Sequence, residues 1–237
     1  MSRERPIVAI DGPAGAGKST VTRVVAARLG YHLINTGAIY RALALAAQRA
    51  GFGFHEDEKV GALAHQLVAR DAIQLVPDDG IEYRVLLEGE DVSSAIRTQV
   101  LGEGASKVSA IPAVRDALLE LQRAAGRKGG VVLEGRDIGT VVFPDAEAKF
   151  FLTATVDVRA KRRYDELSAR GQPPSLEDVR REVNERDRRD SSRPIAPLRQ
   201  ASDAVVVDSS ELDIEQVAEH IVGLVHAVER RLARPAP

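Results

Sequence analysis

The sequence predicts an α/β fold in which a parallel β-sheet is covered by helices on both faces. Short apolar runs at residues 6–11, 31–34, 131–133, 149–152 and 204–207 are typical of buried parallel strands. Segments with helical spacing alternate with them, and short connections of this kind favour a parallel sheet. Hydrophobic residues make up 44% of the 237 residues, which is sufficient for a buried core.

Three helices are predicted beside these strands. The first covers residues 20–29 and the second covers residues 38–50, and each is followed by a glycine, which readily adopts the left-handed conformation that ends a helix. The third, Ile214–Leu232, is long and amphipathic. We expect the remaining residues, 234–237, to form a frayed tail.

Two stretches depart from the alternation. Residues 71–76 alternate apolar and polar side chains, residues 77–80 favour a turn, and residues 81–87 continue, which together predict a β-hairpin. Residues 159–193 have a helical pattern rich in arginine and poor in apolar residues, with a break at 171–174. Because little apolar surface can anchor this helical hairpin, we expect it to be mobile.

The composition excludes several classes of site and partner. Cysteine is absent, so there are no disulfides, thiolate metal sites or cysteine nucleophiles. The 33 Lys+Arg are balanced by 35 Asp+Glu, so no global positive field attracts nucleic acid. No apolar run approaches the roughly 20 residues of a membrane span, and no signal-peptide pattern precedes the first strand. We therefore expect a cytoplasmic protein that binds neither nucleic acid nor membranes.

The strongest motif follows the first predicted strand and opens the first helix. Residues 12–19, here called the P-loop, fit the pattern G-x-x-x-x-G-K-[ST]. Such a loop directs backbone N–H groups at a polyphosphate, while Lys18 would reach the β- and γ-phosphates and Ser19 would bind Mg²⁺. The motif predicts a nucleoside triphosphate and Mg²⁺ as cofactors. The predicted ATP-binding residues are Gly12, Pro13, Ala14, Gly15, Ala16, Gly17, Lys18, Ser19 and Thr20.

The P-loop leaves the reaction open. A GTPase would normally carry an Asn-Lys-x-Asp motif, which this sequence lacks, and a large mechanical ATPase needs more chain and partner domains. A small phosphotransferase or an ATP-gated binding module remains. A second phosphate site elsewhere in the chain would favour the phosphotransferase.

Two segments predict such a second site. Thr36 follows the second strand, and its hydroxyl, the next helix N–H groups and Arg41 suit a phosphate dianion, although an ordinary helix N-cap has the same pattern. Arg136 and Asp137 follow the strand at 131–133, at the sheet edge where ligands of α/β proteins bind. Arg136 can hold the acceptor phosphate, and Asp137 can accept from a base amino group or orient Mg²⁺ through water. The alternative is a structural ion pair at a strand end.

The arginine-rich helical hairpin can contribute to the same chemistry. Phosphoryl transfer needs positive charge near the transferred group and exclusion of water, and a closing helical lid supplies both. A dense run of charges is more commonly a solvated surface, so only some of these residues need to face a ligand. The candidates are Arg159, Arg162, Arg163, Arg186, Asp190 and Arg193.

Taken together, these segments resemble bacterial cytidylate kinases. The resemblance is carried by residues 10–20, 35–41, 86–97, 135–145 and 185–190, and it extends from about residue 6 to about residue 229. It implies a P-loop kinase with a central parallel sheet flanked by helices, an inserted nucleotide-binding subdomain containing a β-hairpin, and a helical lid. The insertion distinguishes bacterial cytidylate kinases from adenylate kinases and from eukaryotic UMP/CMP kinases.

The resemblance also implies a domain organisation and an activity. The single kinase domain would consist of a core at about 5–37, 112–157 and 198–233, a monophosphate-binding subdomain at about 38–111 and a lid at about 158–197. The enzyme would transfer the γ-phosphoryl group of ATP, with Mg²⁺, to CMP or dCMP in pyrimidine metabolism. We expect it to act as a monomer on small nucleotides.

The same resemblance implies roles for individual residues. The acceptor phosphate would be surrounded by Thr36, Tyr40, Arg41 and Arg136. The cytosine would be read by Ser106, Arg115 and Asp137. On lid closure, the sugar and phosphate would be contacted by Arg186, Asp190 and Arg193. The catalytic residues would be Lys18, Arg136, Arg162 and Arg193, with Ser19 as the metal ligand. No general base is expected, because the acceptor phosphate oxygen is already ionised at neutral pH.

Two alternatives remain open at the level of the sequence. One is another small kinase of the same fold, acting on UMP, AMP or a metabolite such as shikimate. The hairpin insertion and residues 135–140 argue against it. The other is a regulator that binds ATP without turnover, against which the retention of Lys18, Arg136 and the lid arginines argues.

Overall fold

The computed structural model of the chain describes residues 3–78, 80–169, 171 and 175–233. Asp79 of the predicted turn, residues 172–174 of the predicted break and the predicted tail lie outside the described residues. The strands are β1 (Ile7–Asp11), β2 (His32–Asn35), β3 (Ile73–Pro77), β4 (Tyr83–Leu87), β5 (Glu90–Asp91), β6 (Val131–Gly135), β7 (Ala148–Thr153) and β8 (Val205–Asp208). The helices are α1 (Lys18–Leu29), α2 (Thr36–Arg49), α3 (Asp57–Ala69), α4 (Gln99–Val108), α5 (Pro112–Gly126), α6 (Val156–Ser168), α7 (Leu176–Ser192) and α8 (Ile214–Leu232).

A five-stranded sheet in the order β2-β6-β1-β7-β8 forms the centre of the fold, and all its pairings are parallel. Every residue of β1 is buried. Val8 and Ile10 face a cluster that includes residues of α1 and α8, while Ile7 and Ala9 face a second cluster on the opposite side. The predicted parallel α/β sheet, covered on both faces, is therefore confirmed.

The parallel pairing determines where the candidate residues lie. The P-loop follows β1, Thr36 follows β2, and Arg136 follows β6. Because these three strands are adjacent and point the same way, all three connections leave the same carboxyl edge of the sheet. One edge therefore carries both predicted phosphate sites.

The chain from α2 to α5 forms a second structural unit. Strands β3 and β4 pair antiparallel as the predicted hairpin, and the short strand β5 adds a third strand. Helices α2, α3, α4 and α5 share a hydrophobic cluster with this small sheet. The sequence analysis did not identify α3, α4 or α5 as elements.

The sequence of α4 was difficult to recognise as a helix because of its glycines. It contains Gly102 and Gly104, and glycine is a poor helix former. Both glycines permit close packing instead, because a Cβ at Gly104 would lie 2.8 Å from the Phe54 ring and one at Gly102 would lie 2.9 Å from the Arg41 guanidinium. Tertiary packing therefore compensates for weak helix propensity.

Helices α6 and α7 form the predicted arginine-rich hairpin. Ser175 caps α7, because its hydroxyl accepts from the backbone N–H of Asp178. The hairpin has a small apolar cluster of its own, built from Ala160, Leu167, Val179 and Val183. Among the described residues, no helix is long and apolar enough to cross a membrane.

Candidate active site

The P-loop turns sharply because its three glycines have positive φ angles. Gly12 has a φ of +154°, and a Cβ there would lie 2.0 Å from the carbonyl oxygen of Leu152 on the adjacent strand. Gly17, with a φ of 88°, is the N-cap of α1. No larger residue fits at Gly12 without moving the backbone, so the path of the loop depends on this glycine.

Lys18 begins α1 and is almost fully buried. Its Nζ donates to the carbonyl oxygens of Gly12 and Pro13, both at 2.7 Å. Burial and the nearby Arg136 hold the pKa of Lys18 well below its ordinary range. The ammonium group therefore lies inside the P-loop, near a second cation.

Ser19 binds a buried acid that the sequence analysis did not select. Its Oγ donates to Oε2 of Glu134 at 3.0 Å, and Oε1 of Glu134 is buried with no hydrogen-bond partner among the described residues. Burial raises the pKa of Glu134, although Lys18 and the Ser19 hydroxyl oppose the rise. The signal in the sequence was the position of Glu134 directly after the predicted strand at residues 131–133; in the structure it lies in β6 opposite Ile10 of β1.

The start of α2 lies next to this acid. Thr36 Oγ1 donates to the carbonyl oxygen of Glu134 at 2.8 Å. One turn later, the buried Tyr40 accepts at its hydroxyl from Nε2 of Gln122 at 3.2 Å. The guanidinium of Arg115 lies 5.7 Å from the centre of the Tyr40 ring. Thr36 and Tyr40 therefore join β6, α2 and α5 around the carboxyl edge.

Four cationic side chains lie around the position that follows β6. We call them the cationic cluster: Lys18, Arg41, Arg136 and Arg186. Arg136 Nε donates to Oδ2 of the buried Asp190 at 2.8 Å. Burial, Arg136 and Arg41 lower the pKa of Arg186 to about 10, and Arg186 in turn contributes to the low pKa of Lys18. Burial alone would raise the pKa of Asp190, but Arg136 and Arg186 outweigh it and the pKa falls. Arg41 also donates to the carbonyl oxygens of Ile96 (3.1 Å) and Thr98 (2.9 Å).

The mutual repulsion within this cluster points to an anion as its ligand. The charge of Arg136 lowers the pKa of both Lys18 and Arg186, because Asp190 and Glu134 compensate the positive charges only in part. A polyanion would remove this repulsion, and arginine forks suit phosphate oxygens.

Asp137 lies beside the cluster and is held by two arginines. Its Oδ2 accepts from Arg115 in a buried ion pair, and its Oδ1 lies 3.6 Å from Nη2 of Arg193. Arg193 also donates from Nε to the carbonyl oxygen of Ala196 at 2.5 Å. Burial and Arg115 lower the pKa of Arg193. The predicted base-reading pair Arg115 and Asp137 therefore lies together with the lid residue Arg193.

Ser106, the third predicted base-reading residue, is buried on α4. Its Oγ accepts from Nη1 of Arg189 on α7 at 3.0 Å. The Ser106 carbonyl accepts from Ser109 Oγ, and the Ser109 carbonyl accepts weakly from Arg115 at 3.4 Å. Ser106 is thus linked to Asp137 through α4 and α5, and Arg189 is a contact that sequence reasoning missed.

Two lid arginines contact the P-loop from the opposite side. Arg159 Nη1 donates to the Ala14 carbonyl oxygen at 3.1 Å and to Asp187 at 2.6 Å. Arg162 donates to the hydroxyl and the carbonyl oxygen of Ser209, at 3.0 and 2.6 Å, and more weakly to Ala16. Of the remaining lid candidates, Arg163 forms an ion pair with Glu166 on its own helix.

Comparison with known proteins identifies the family. The cytidylate kinase family description matches residues 8–227. This chain belongs to the cytidylate kinase family. A cytidylate kinase of Citrifermentans bemidjiense is 54% identical over 228 residues, which cover 96% of this chain and 94% of that protein. A cytidylate kinase of Pseudomonas aeruginosa PAO1 is 50% identical over 223 residues, which cover 94% and 96%. A solved shikimate kinase from Acinetobacter baumannii, in complex with shikimate, has a TM-score of 0.45 and 16% identity over 94% of both chains.

Membership of the cytidylate kinase family confirms the resemblance predicted from the sequence. The chain is a kinase that uses a nucleotide as phosphoryl donor and acts on small nucleotide substrates. The enzyme class agrees with the geometry, because the P-loop and the cationic cluster share one edge of the sheet.

Proposed function

We propose that this cytidylate kinase family member transfers the γ-phosphoryl group of ATP to CMP or dCMP, forming ADP and CDP or dCDP. The observation that carries the proposal is the convergence of Lys18 from the P-loop with Arg136 and Arg186 at one sheet edge. Two phosphate-bearing substrates need such a shared cationic region, whereas a protein that only binds ATP does not.

On the donor side, the P-loop amides and Lys18 would hold the β- and γ-phosphates. The residues fit Mg²⁺, because the Ser19 hydroxyl faces a buried carboxylate whose Oε1 has no partner among the described residues. Ser19 would bind the ion and Glu134 would orient its water shell. When bound, Mg²⁺ neutralises charge on the phosphate oxygens. Lys18 would leave the carbonyls of Gly12 and Pro13 to follow the phosphate.

On the acceptor side, Arg136 and Arg186 would bind the monophosphate, aided by Thr36, Tyr40 and Arg41. Asp190 fixes the Arg136 guanidinium through Nε, so the remaining N–H groups can be aimed at phosphate oxygens. These residues position an oxygen that is already ionised, so none of them has to remove a proton. Arg193 and Arg162 would add positive charge as the lid closes.

The base would be read by Asp137, Ser106 and Arg115. A carboxylate accepts hydrogen bonds and cannot donate them when ionised, so Asp137 suits the exocyclic amine of cytosine. Uracil has a carbonyl oxygen at that position, which faces the carboxylate unfavourably. Arg115 and Arg193 hold both Asp137 oxygens in place.

Three further parts of the proposal rest on family membership and sequence. They are the domain boundaries given above, action as a monomer, and location in the cytoplasm. The chain would encounter ATP, CMP and dCMP there as small-molecule partners.

The test is ADP release from ATP–Mg²⁺ measured in parallel with CMP, dCMP, UMP, AMP and shikimate. We expect turnover with CMP and dCMP to exceed that with the other three acceptors. Lys18→Ala should abolish turnover with every acceptor while leaving the thermal unfolding temperature nearly unchanged, because Lys18 lies in the P-loop rather than in an apolar cluster. A preference for UMP, AMP or shikimate in the wild-type protein would overturn the proposed substrate. Normal turnover by Lys18→Ala would overturn the proposed donor site.

A further inference from the structure

The connection that leaves α7 contains a buried alanine in an unusual backbone conformation. Ala196 has a φ of 49°, in the left-handed region that glycine adopts readily and that other residues rarely adopt. It is 7% exposed. Asparagine and aspartate can stabilise this conformation through their side chains, but alanine has no polar group to do so. The surrounding structure must therefore hold Ala196 in place.

Two other non-glycine residues with positive φ angles have local explanations. Asp71, with a φ of 52°, directly follows the C-cap of α3, where a left-handed residue commonly ends a helix. Glu88, with a φ of 51°, and Gly89 form the two-residue turn between β4 and β5. Ala196 lies in neither kind of turn, since it is three residues beyond the C-cap of α7 in the connection to β8. Its conformation has a different reason.

The left-handed conformation directs the Ala196 carbonyl oxygen at Arg193. Nε of Arg193 donates to this oxygen at 2.5 Å, and both residues are buried. The same connection folds back on α7, because the backbone N–H of Leu198 donates to the carbonyl oxygen of Asp190 at 2.7 Å. Ala196 therefore belongs to a short loop that is held by one bond to Arg193 and by another across its ends.

The contact with Ala196 leaves the other end of the Arg193 guanidinium open. Because a guanidinium is planar, fixing the direction of its Nε–H also fixes the positions of its two terminal nitrogens. Nη2 is buried, has no hydrogen-bond partner among the described residues, and lies 3.6 Å from Oδ1 of Asp137. Asp190 holds Arg136 through Nε in the same way, but with a carboxylate. A neutral carbonyl instead orients Arg193 without neutralising it.

We propose that Ala196 is a positioning residue, whose left-handed backbone anchors the Arg193 guanidinium through Nε and keeps its terminal nitrogens beside Asp137. The inference rests on the proposed function, since it takes Arg193 as a group that supplies positive charge on the acceptor side. Ala196 acts through its backbone carbonyl and need not touch the substrate. Pro194 and Pro197 restrict the same loop, because each fixes its own φ at about −65°.

The test compares kcat/KM for CMP in Ala196→Gly and Ala196→Val. Glycine adopts the left-handed conformation freely and keeps the carbonyl, so Ala196→Gly should stay within about twofold of the wild type. A β-branched residue disfavours this conformation, so Ala196→Val should turn the carbonyl away from Arg193. We expect kcat/KM to fall by about tenfold, the effect of one hydrogen bond to a charged group. The matched control is Ala201→Val, because Ala201 lies in the same connection without a positive φ angle.

A second background separates positioning from a general structural role. Arg193→Lys keeps the positive charge but lacks the Nε–H donor. If Ala196 acts through Arg193, Ala196→Val should cause no further loss of kcat/KM in this background. The inference is overturned if the loss persists in full there, if Ala196→Gly loses as much as Ala196→Val, or if Ala196→Val is as active as the wild type.

A measurement on the wild-type protein does not depend on the folding of any variant at residue 196. The Nε–H proton resonance of Arg193, assigned by its absence in Arg193→Lys, should lie downfield of those of exposed arginines and exchange slowly with water. A resonance at the position of exposed arginines would overturn the inference. A wild-type enzyme with no preference for CMP or dCMP would instead contradict the proposed function, and that result is read from its acceptor panel alone.

Discussion

Asp137 has an unusual set of neighbours for a residue that we propose to recognise a neutral base. Two arginines, Arg115 and Arg193, lie at its two carboxylate oxygens, so its position is fixed from both sides. A buried carboxylate held in this way presents its remaining lone pairs in one direction. Fixed lone pairs favour discrimination, because a wrong partner cannot be accommodated by rotation of the side chain.

We predict that Asp137→Asn narrows the difference between CMP and UMP. The amide has nearly the same size but carries a donor as well as an acceptor, so it can satisfy the uracil carbonyl after rotation. The KM for CMP should rise by about 5- to 150-fold, the factor that corresponds to 1–3 kcal/mol for a buried polar contact, while the KM for ATP changes little. Steady-state kinetics with both monophosphates check this.

Stability must be measured alongside, because removing one partner of a buried ion pair leaves Arg115 uncompensated. Assays are therefore made well below the unfolding temperature of the variant. Equal losses for CMP and UMP, with a raised KM for ATP, would assign Asp137 to the metal or to the protein framework instead of the base.

The residue scale also shows what a sequence pattern can and cannot reveal. The P-loop residues were predictable because the motif is contiguous and each glycine has a local steric reason, as at Gly12. The contact of Arg189 with Ser106 joins residues 83 positions apart, and no local signal in the sequence relates them. Glu134 directly follows the predicted strand at residues 131–133, but its proximity to Ser19 became evident only from the pairing of β6 with β1.

At the scale of elements, the lid is fixed unevenly. Three polar contacts hold the C-terminal half of α7. Asp187 binds Arg159 on α6, and Arg189 binds Ser106 on α4. Asp190 binds Arg136, which follows β6. The end of α6 and the start of α7 depend on the small cluster around Leu167 and Val179. The sequence predicted few apolar anchors for this hairpin, and among the described residues the structure adds partly buried polar anchors in the C-terminal half of α7.

We predict that, without nucleotide, amide exchange in the hairpin is faster than in β1, and fastest at the end of α6 and the start of α7. The reason is that few buried apolar contacts support this part, whereas β1 is buried along its whole length. Addition of CMP with a non-hydrolysable ATP analogue should slow exchange in α6 and α7 more than in β1, because bound phosphate offsets the repulsion among the arginines. Hydrogen exchange read by mass spectrometry provides the measurement.

The exchange experiment has a clear contrary outcome. Equal protection of α6, α7 and β1 both before and after ligand addition would mean that the hairpin is a fixed structural unit. Its arginines would then be ordinary surface charge apart from those with buried partners. A ligand response confined to α1 would show closure of the P-loop alone.

The elements themselves were predictable to different degrees. The five parallel strands were recognised because they are short apolar runs followed by glycine or polar residues, and buried strands have few alternatives. Helices such as α4 were not, since their stability depends on packing between Gly104 and Phe54 rather than on local propensity. The order β2-β6-β1-β7-β8 likewise depends on pairings between distant segments, from 55 residues apart (Phe150 with Val205) to 140 residues apart (Val8 with Ala148).

At the scale of the whole molecule, Asp11 connects the P-loop strand to the segment after β6, the proposed donor and acceptor halves of the site. It ends β1 immediately before the P-loop, and its carboxylate accepts from the backbone N–H groups of Ile138 and Gly139, both at 2.8 Å. Those two groups begin the helical turn that follows Arg136 and Asp137. The carboxylate therefore fixes the position of the acceptor segment relative to the central strand.

Asp11 also predicts how the stability of the molecule depends on pH. Burial raises the pKa of Asp11 from 3.8 to about 6, against the opposing effect of its two N–H donors. The folded protein therefore binds a proton more tightly than the unfolded chain. The resulting stabilisation is fully present below pH 4 and is lost as the pH rises through 6, a change of about 3 kcal/mol at 1.4 kcal/mol per pKa unit.

We predict that the free energy of unfolding of Asp11→Asn, relative to that of the wild type, increases by about 2.5 kcal/mol between pH 4 and pH 7.5. The amide does not titrate, and its loss of one backbone hydrogen bond is constant across this range, so the slope isolates the ionisation of Asp11. Urea unfolding at several pH values measures it, with the exposed-carboxyl variant Glu58→Gln as a control for removal of an acid. If the free energies of unfolding of Asp11→Asn and the wild type differ by the same amount at every pH, Asp11 is ionised as readily in the folded protein as in the unfolded chain. If the free energy of unfolding of Asp11→Asn relative to the wild type falls as the pH rises, the two N–H donors outweigh burial.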